Sequence, residues 1–319
     1  MKTQKRHDII IVQLMSKLNV GRKKCPCIEV HKLDGVNDMN GKNKNNNPSE
    51  SSDESQSSDT ASEVDSTTAS ETEVVTESDT VTGEAPTETA DETKNVDVPV
   101  DPSKVIYLTF DDGPHKENTE KVLAILREYK IKATFFTVGA WVKTYPEIVK
   151  KVHDEGHLIG CHSYTHDYVP LYKSADTVIG EIKKWESAVK KAIGSVPESK
   201  VFRFPGGTTC TALKDNAAYP AILKALEERG YRPFDWTAAN NDKWLAGMKE
   251  GQTVADYFMY SLKATLSWVK DGEPRIVLMH DTSTDTVENL RVMLDYLIGE
   301  GYTFDTLDHY IGYYVSKKP

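Results

Sequence analysis

The sequence predicts an α/β protein: a parallel sheet, closed into a barrel or open, built from about seven strand–helix units and preceded by a disordered N-terminal region. Three observations carry that prediction. From Lys104 onward, short apolar runs alternate with amphipathic stretches of helical period. The apolar runs are continuous, as expected of parallel strands buried on both faces. From about Asn37 to Asp97, by contrast, the chain offers almost nothing that could fill a core.

In chain order, "VIYLTF" (105–110) reads as a buried strand. The stretch "ENTEKVLAILREYKI" follows as a helix with Val122, Ile125, Leu126 and Tyr129 on one face. "ATFFTV" (133–138) is again a strand, and "YPEIVKKVHDEG" a helix closed by Gly156. "LIGCHS" gives a strand and "SADTVIGEIKKWESAVKKAIG" a long helix. "KVFRF", "YRPFDW" and "RIVLMHD" are further strands. They alternate with helices over "NAAYPAILKALEERG", "VADYFMYSLKATLSWV" and "DTVENLRVMLDYLIGEG", before the closing "YTFDTLDHYIGYY". No G-x-G-x-x-G follows the first strand, which removes a dinucleotide-binding sheet; a barrel and another open doubly wound sheet both fit the alternation.

The chain divides into a segment of unclear role (1–36), an acidic Ser/Thr/Glu-rich linker (37–100) and a folded domain (101–319). The linker composition cannot offset the entropy of ordering, so it reads as a disordered tether. It carries much of the net charge of -10, and past Asp101 acids and bases are better mixed. No basic stripe interleaved with aromatics suggests nucleic acid. The apolar run Ile9 to Met15 is far shorter than the roughly 20 residues of a membrane span, and no clear cleavage site makes it an export signal. Four cysteines in 319 residues make no disulfide framework. Cys25 and Cys27 lack a second pair at zinc spacing, and Cys161 and Cys210 read as buried free thiols.

Chemistry-bearing residues gather at the carboxyl ends of the expected strands. Asp111 and Asp112 follow "VIYLTF", and His162 and His166 follow "LIGC". Arg203 lies in "VFRFPGG", Asp235 and Trp236 end "YRPFDW", and His280 and Asp281 end "RIVLM". In a parallel β/α architecture those ends converge on one face, where active sites form. Two histidines four residues apart, joined by one carboxylate and leaving a position open, match a catalytic zinc pattern.

The motifs "TFDDGP", "HSYTH", "RFPGG" and "VLMHD", in this order, resemble those of the NodB-homology polysaccharide deacetylases, carbohydrate esterase family four, over Val105 to Tyr310. The resemblance implies a metal-dependent hydrolase of acetyl groups on polysaccharides, built on an irregular (β/α) barrel of about seven strand–helix units. It implies one divalent ion, Zn²⁺ first with Co²⁺ or another as alternatives, held by Asp112, His162 and His166. Asp111 falls on the family's general base, His280 on its general acid, and Arg203 on the arginine that orients the base. Gly206 matches the backbone N–H donor to the oxyanion, and Leu278 and Trp236 the walls of the acetyl slot. Tyr164 is a candidate for the substrate groove. The chemistry agrees, because a bound divalent ion can lower the pKa of water from 15.7 to about 7 and polarise a carbonyl.

One departure stands out in the stretch "FDWTAANNDKW". Ala239 takes the place where the family commonly has an aspartate that tunes the acidic histidine, and Asp242 lies near a second carboxylate position. Asp235 or Asp281 is expected to take over, or His280 to titrate without a carboxylate. The expected substrate is a polymer containing N-acetylglucosamine, peptidoglycan first. An acetylated xylan, a chitin oligosaccharide, or a catalytically silent wall-binding module are the alternatives. The resemblance and the tether together imply an extracytoplasmic or cell-surface monomer acting on acetylated polysaccharide.

Overall fold

A computed structural model describes residues 101–315. The expected N-terminal segment, the acidic linker, Cys25 and Cys27 lie outside the described residues.

Eight parallel strands form the sheet: β1 (Val105–Asp111), β2 (Thr134–Thr137), β3 (Leu158–Cys161), β4 (Val201–Phe202), β5 (Arg232–Pro233), β6 (Ala238–Ala239), β7 (Arg275–His280) and β8 (Thr303–Asp305). Their order is β5-β4-β3-β2-β1-β7-β6, with β8 paired to β1. β8 joins the amino half of β1 through Val105, Ile106 and Tyr107, while β2 joins its carboxyl half. The sheet therefore curls into an incomplete barrel with β1 at its centre.

Among the described residues, eight helices cover it: α1 (Asn118–Glu128), α2 (Gly139–Thr144), α3 (Pro146–Asp154), α4 (Tyr168–Leu171), α5 (Ala175–Ile193), α6 (Tyr219–Glu228), α7 (Val254–Ser267) and α8 (Thr284–Gly299). The helix starts follow capping chemistry. Ser174 and Ser283 accept from the N–H three residues on, and Thr253 with Asp256 forms a capping box. Gly194 closes α5 at φ 86°, a conformation that favours glycine. The sequence pattern leaves α2 unassigned and misses β6, because a six-residue helix and a two-residue strand are too short to show a period.

Strand alternation divides the core into two layers. Ile106, Leu108 and Phe110 of β1 face the helices and join the larger apolar cluster. A second cluster of Phe136, Val201, Phe234, Ile276 and Leu307, joined by Tyr107, fills the barrel interior. Gly160 is needed there, because a Cβ would lie 2.6 Å from Phe136 and 2.9 Å from Val201. Above this floor sits Arg203, fully buried, with its guanidinium carbon 4.2 Å from the centre of the Phe136 ring. The apolar interior thus ends in a cation beneath the carboxyl ends of the strands.

Candidate active site

Adjacent residues of a strand point to opposite faces, so two neighbouring aspartates should diverge. They do not, because Asp112 leaves the strand at φ 75°. Ser163 and His166 also have positive φ, 63° and 59°. For residues with a Cβ each such conformation costs about 1–2 kcal/mol. Three in one site mark a backbone bent to aim side chains.

The result is a cluster of donors. One ligand-type atom each of Asp112, His162 and His166 lies within 4.8 Å of the other two. Asp112 Oδ1 is 3.5 Å from His162 Nε2 and 3.2 Å from His166 Nε2. A tetrahedral ion with bonds of about 2.0–2.2 Å sets its ligand atoms about 3.3–3.6 Å apart, so this donor set fits a zinc-type centre. The tautomer fits too. His162 Nδ1 is 2.9 Å from the Arg203 carbonyl, which can only accept, so Nδ1 carries the proton and Nε2 presents a lone pair. Burial alone would raise the Asp112 pKa, but the imidazoles of His166, His162 and His280 pull it well below the usual carboxylate range.

Asp111 remains on the interior side of β1. Its Oδ1 accepts from Arg203 Nη1 at 2.8 Å, and its Oδ2 lies 3.7 Å from His162 Nε2. Arg203 is held at every nitrogen: Nε donates to the Phe234 carbonyl, Nη2 to the Asp235 carbonyl, and Nη1 also to Thr109 Oγ1. A guanidinium satisfied on all sides cannot swing, so Asp111 is fixed through it.

His280 ends β7 directly across from Asp111 in the strand register. Neither of the two carboxylates expected to pair with it, Asp235 and Asp281, does so. Asp235 accepts from the N–H and hydroxyl of Thr208, and Asp281 accepts from Thr119 Oγ1 at 2.6 Å. Asp242 is the partner. Its Oδ1 lies 2.7 Å from His280 Nδ1, and its Oδ2 accepts from the His280 N–H at 2.9 Å and from Thr286 Oγ1 at 2.6 Å. Burial pulls the His280 pKa down, but Asp242, assisted by Asp112, more than offsets this and leaves it at about 8. For Asp281 burial dominates, raising its pKa to about 7. Ala239 itself is buried, with its N–H and carbonyl both bonded to Thr265 Oγ1.

The remaining candidates are dispersed around this centre. Gly206, at φ 74°, lies so close to Tyr168 that a Cβ would fall 2.8 Å from the ring. Gly207 packs on Trp236, whose ring lies 5.8 Å from the Arg203 guanidinium. Leu278 shares the interior face of β7 with His280. Tyr164 packs its ring against Gly139, with Lys184 Nζ 5.9 Å from the ring centre. Cys161 and Cys210 are both buried.

Three contributors escaped the sequence reading. Glu181 on α5 accepts from the N–H groups of Tyr164 and Thr165 and from Thr165 Oγ1, gripping the loop between the two histidines. Its signal was a charged residue on the buried stripe Val178, Ile182, Trp185. Lys243 Nζ lies 3.4 Å from Asp112 Oδ2. Tyr168 packs edge-on against His166, ring centres 5.2 Å apart. Neither had a readable spacing.

A curled parallel barrel with a two-imidazole, one-carboxylate donor set beside a second carboxylate and a carboxylate-paired histidine defines a hydrolase of the metal-dependent type. Known proteins agree. The polysaccharide deacetylase family model matches residues 99–234. A peptidoglycan-N-acetylglucosamine deacetylase of Bacillus cereus is 33% identical over 206 residues, 63% of this chain and 68% of that protein. A peptidoglycan-N-acetylmuramic acid deacetylase of Bacillus subtilis is 32% identical over 206 residues, 64% and 70% respectively. The crystal structure of the catalytic domain of a peptidoglycan N-acetylglucosamine deacetylase from Eubacterium rectale superposes with a TM-score of 0.57 at 26% identity, covering 67% of this chain and 94% of that one. The chain belongs to the polysaccharide deacetylase family, carbohydrate esterase family four, and is a hydrolase of that metal-dependent class.

Proposed function

We propose that this enzyme removes N-acetyl groups from the N-acetylglucosamine of peptidoglycan, releasing acetate, and that its ion is Zn²⁺. One observation carries the reading: the donors of Asp112, His162 and His166 converge beside an Asp111 that is held by Arg203 and left out of the cluster. The names of the Bacillus and Eubacterium relatives support the choice of polymer. Such a substrate lies outside the cytoplasm, so the enzyme works at the cell surface.

In this reading Asp112, His162 and His166 hold the ion, which when bound supplies Lewis acidity to water and to the acetyl carbonyl. Asp111 Oδ2 takes the proton of the attacking water, and Arg203 keeps that carboxylate aimed. Gly206 offers its N–H to the developing oxyanion; a donor of this kind is worth about 2.7–4 kcal/mol. His280, protonated at neutral pH because Asp242 faces Nδ1, gives its Nε2 proton to the departing amine. Leu278 and Trp236 flank the acetyl methyl.

The test is acetate release from peptidoglycan, N-acetylglucosamine oligomers and acetylated xylan. Release from the first two, abolished by chelator and restored by Zn²⁺, is expected. Release from xylan alone would replace the amide reading with an ester one. Metal-bound protein that binds glycan without releasing acetate would make it a binding module.

A further inference from the structure

Outside the catalytic centre, a groove of about 580 Å³ runs between α2 and α5, with Tyr164 and Thr165 at one rim. Four exposed lysines line it: Lys143 from α2 and Lys183, Lys184 and Lys191 from α5. Lys184 pairs with Glu181 at 3.1 Å. Among the described residues Lys143, Lys183 and Lys191 have no carboxylate partner. The nearby acids are engaged elsewhere, Glu181 with the Tyr164–Thr165 loop and Glu186 with Arg229 and Tyr231. Past Asp101 acids and bases are mixed along the chain, so an uncompensated cationic groove is a local concentration of positive charge.

We propose that this groove is a subsite for carboxylates carried along the substrate glycan, an inference that rests on the peptidoglycan reading above. Two features connect it to the reaction. Tyr164 and Thr165 are the residues between His162 and His166, so the groove and the candidate metal loop are one stretch of chain. That stretch is fixed to α2 by the bonds from Gly139 and Ala140 N–H to the Ser163 and Tyr164 carbonyls, at 3.0 and 2.9 Å. A strand seated in the groove is thereby placed relative to the donors.

The charge pattern favours carboxylates over phosphate. Lys183 and Lys191 are eight residues apart on α5, about 12 Å along the helix axis, so their charge is spread rather than focused. A compact dianion is best held by converging donors such as an arginine fork or a helix N-terminus, and no arginine lines the groove. Spaced single charges suit a polymer with one carboxylate per repeat. Exposed lysines act mainly on encounter and orientation, so the groove should govern half-saturation rather than kcat.

The experiment uses the full chain and the double substitution Lys183→Glu with Lys191→Glu. The probes are insoluble peptidoglycan stripped of phosphate polymers, the same material with its carboxylates amidated, and uncharged chitin oligomers. For the variant, half-saturation on native glycan should rise about tenfold at low ionic strength and lose its salt dependence. Kinetics on chitin oligomers should hold. Wild-type enzyme that pellets equally with native and amidated glycan would overturn the subsite, as would binding that requires the phosphate polymer. Pelleting needs no turnover, so it judges the groove even if acetate release fails on every substrate; that failure would count against the deacetylation reading alone.

Discussion

Asp111 and His280 stand on strands of seven and six residues, β1 and β7, and oppose each other as a registered pair. Arg203, Asp235 and Asp242 stand beyond β4, β5 and β6, each only two residues long. On the first wall the backbone ladder sets the side chains. On the second the ladder is too short to do so, and side chains bond to backbone instead. Arg203 reaches two carbonyls, and Asp242 reaches the His280 N–H. The same site is thus positioned by sheet register on one side and by buried polar networks on the other. Damage should differ accordingly: chemistry lost without fold on the long-strand wall, fold and chemistry lost together on the short-strand wall.

The strongest break is expected at Asp111. Asp111→Asn preserves shape, and Arg203 retains its two carbonyl acceptors and Thr109. We expect kcat to fall about 10²–10⁴-fold, with bound metal, measured by elemental analysis, unchanged. Turnover near the wild-type level would remove Asp111 from the role of base.

On the opposite wall, Arg203→Met should cost about 3–5 kcal/mol, because it strands a buried carboxylate and two buried carbonyls. Thermal unfolding would register this as roughly 2–4 °C per kcal/mol. If Arg203→Met melted like Asp111→Asn, the contrast between the walls would be false.

Asp242→Asn sharpens the contrast through pH. Asp242 raises the His280 pKa against the lowering effect of burial, so its removal lets the imidazole lose its proton at lower pH. Below the lowered pKa the acid is still present; above it the acid is gone. The alkaline limb of kcat should therefore shift toward lower pH, with a loss on the order of tenfold at neutrality. An unmoved limb would show that the carboxylate does not keep His280 protonated.

The walls also differ in how far sequence revealed them. Continuous apolar runs ending in "DD" and "HD" marked β1 and β7 and the residues they carry, because a long buried strand writes its own pattern. "TAANND" showed no such pattern. β6 is two alanines, and Asn241 at φ 61° redirects the chain so that Asp242 rather than position 239 reaches His280. No count of residues along the motif anticipates that turn. The parallel sheet was legible from the alternation of elements, whereas its curl, its order and the pairing of β8 with β1 depend on contacts between residues nearly two hundred positions apart.

The smallest expected effect tests whether side-chain networks also aim the histidine loop. Glu181 bonds to two N–H groups and a hydroxyl between His162 and His166, while Ser163 and His166 hold positive φ. Burial raises the Glu181 pKa, but its bonds to Thr165 and Lys184 outweigh this and lower it, so it holds the loop as an anion. Glu181→Gln keeps the length and one acceptor oxygen but loses the charge that serves three donors. Metal affinity, measured by competition with a chromogenic chelator, should weaken about tenfold, while kcat at saturating Zn²⁺ stays near the wild-type value. A merely structural role would lower the melting temperature and leave affinity per folded molecule unchanged. A loop aimed by Glu181 moves affinity first, because the two imidazoles must meet at one point before any ion is held.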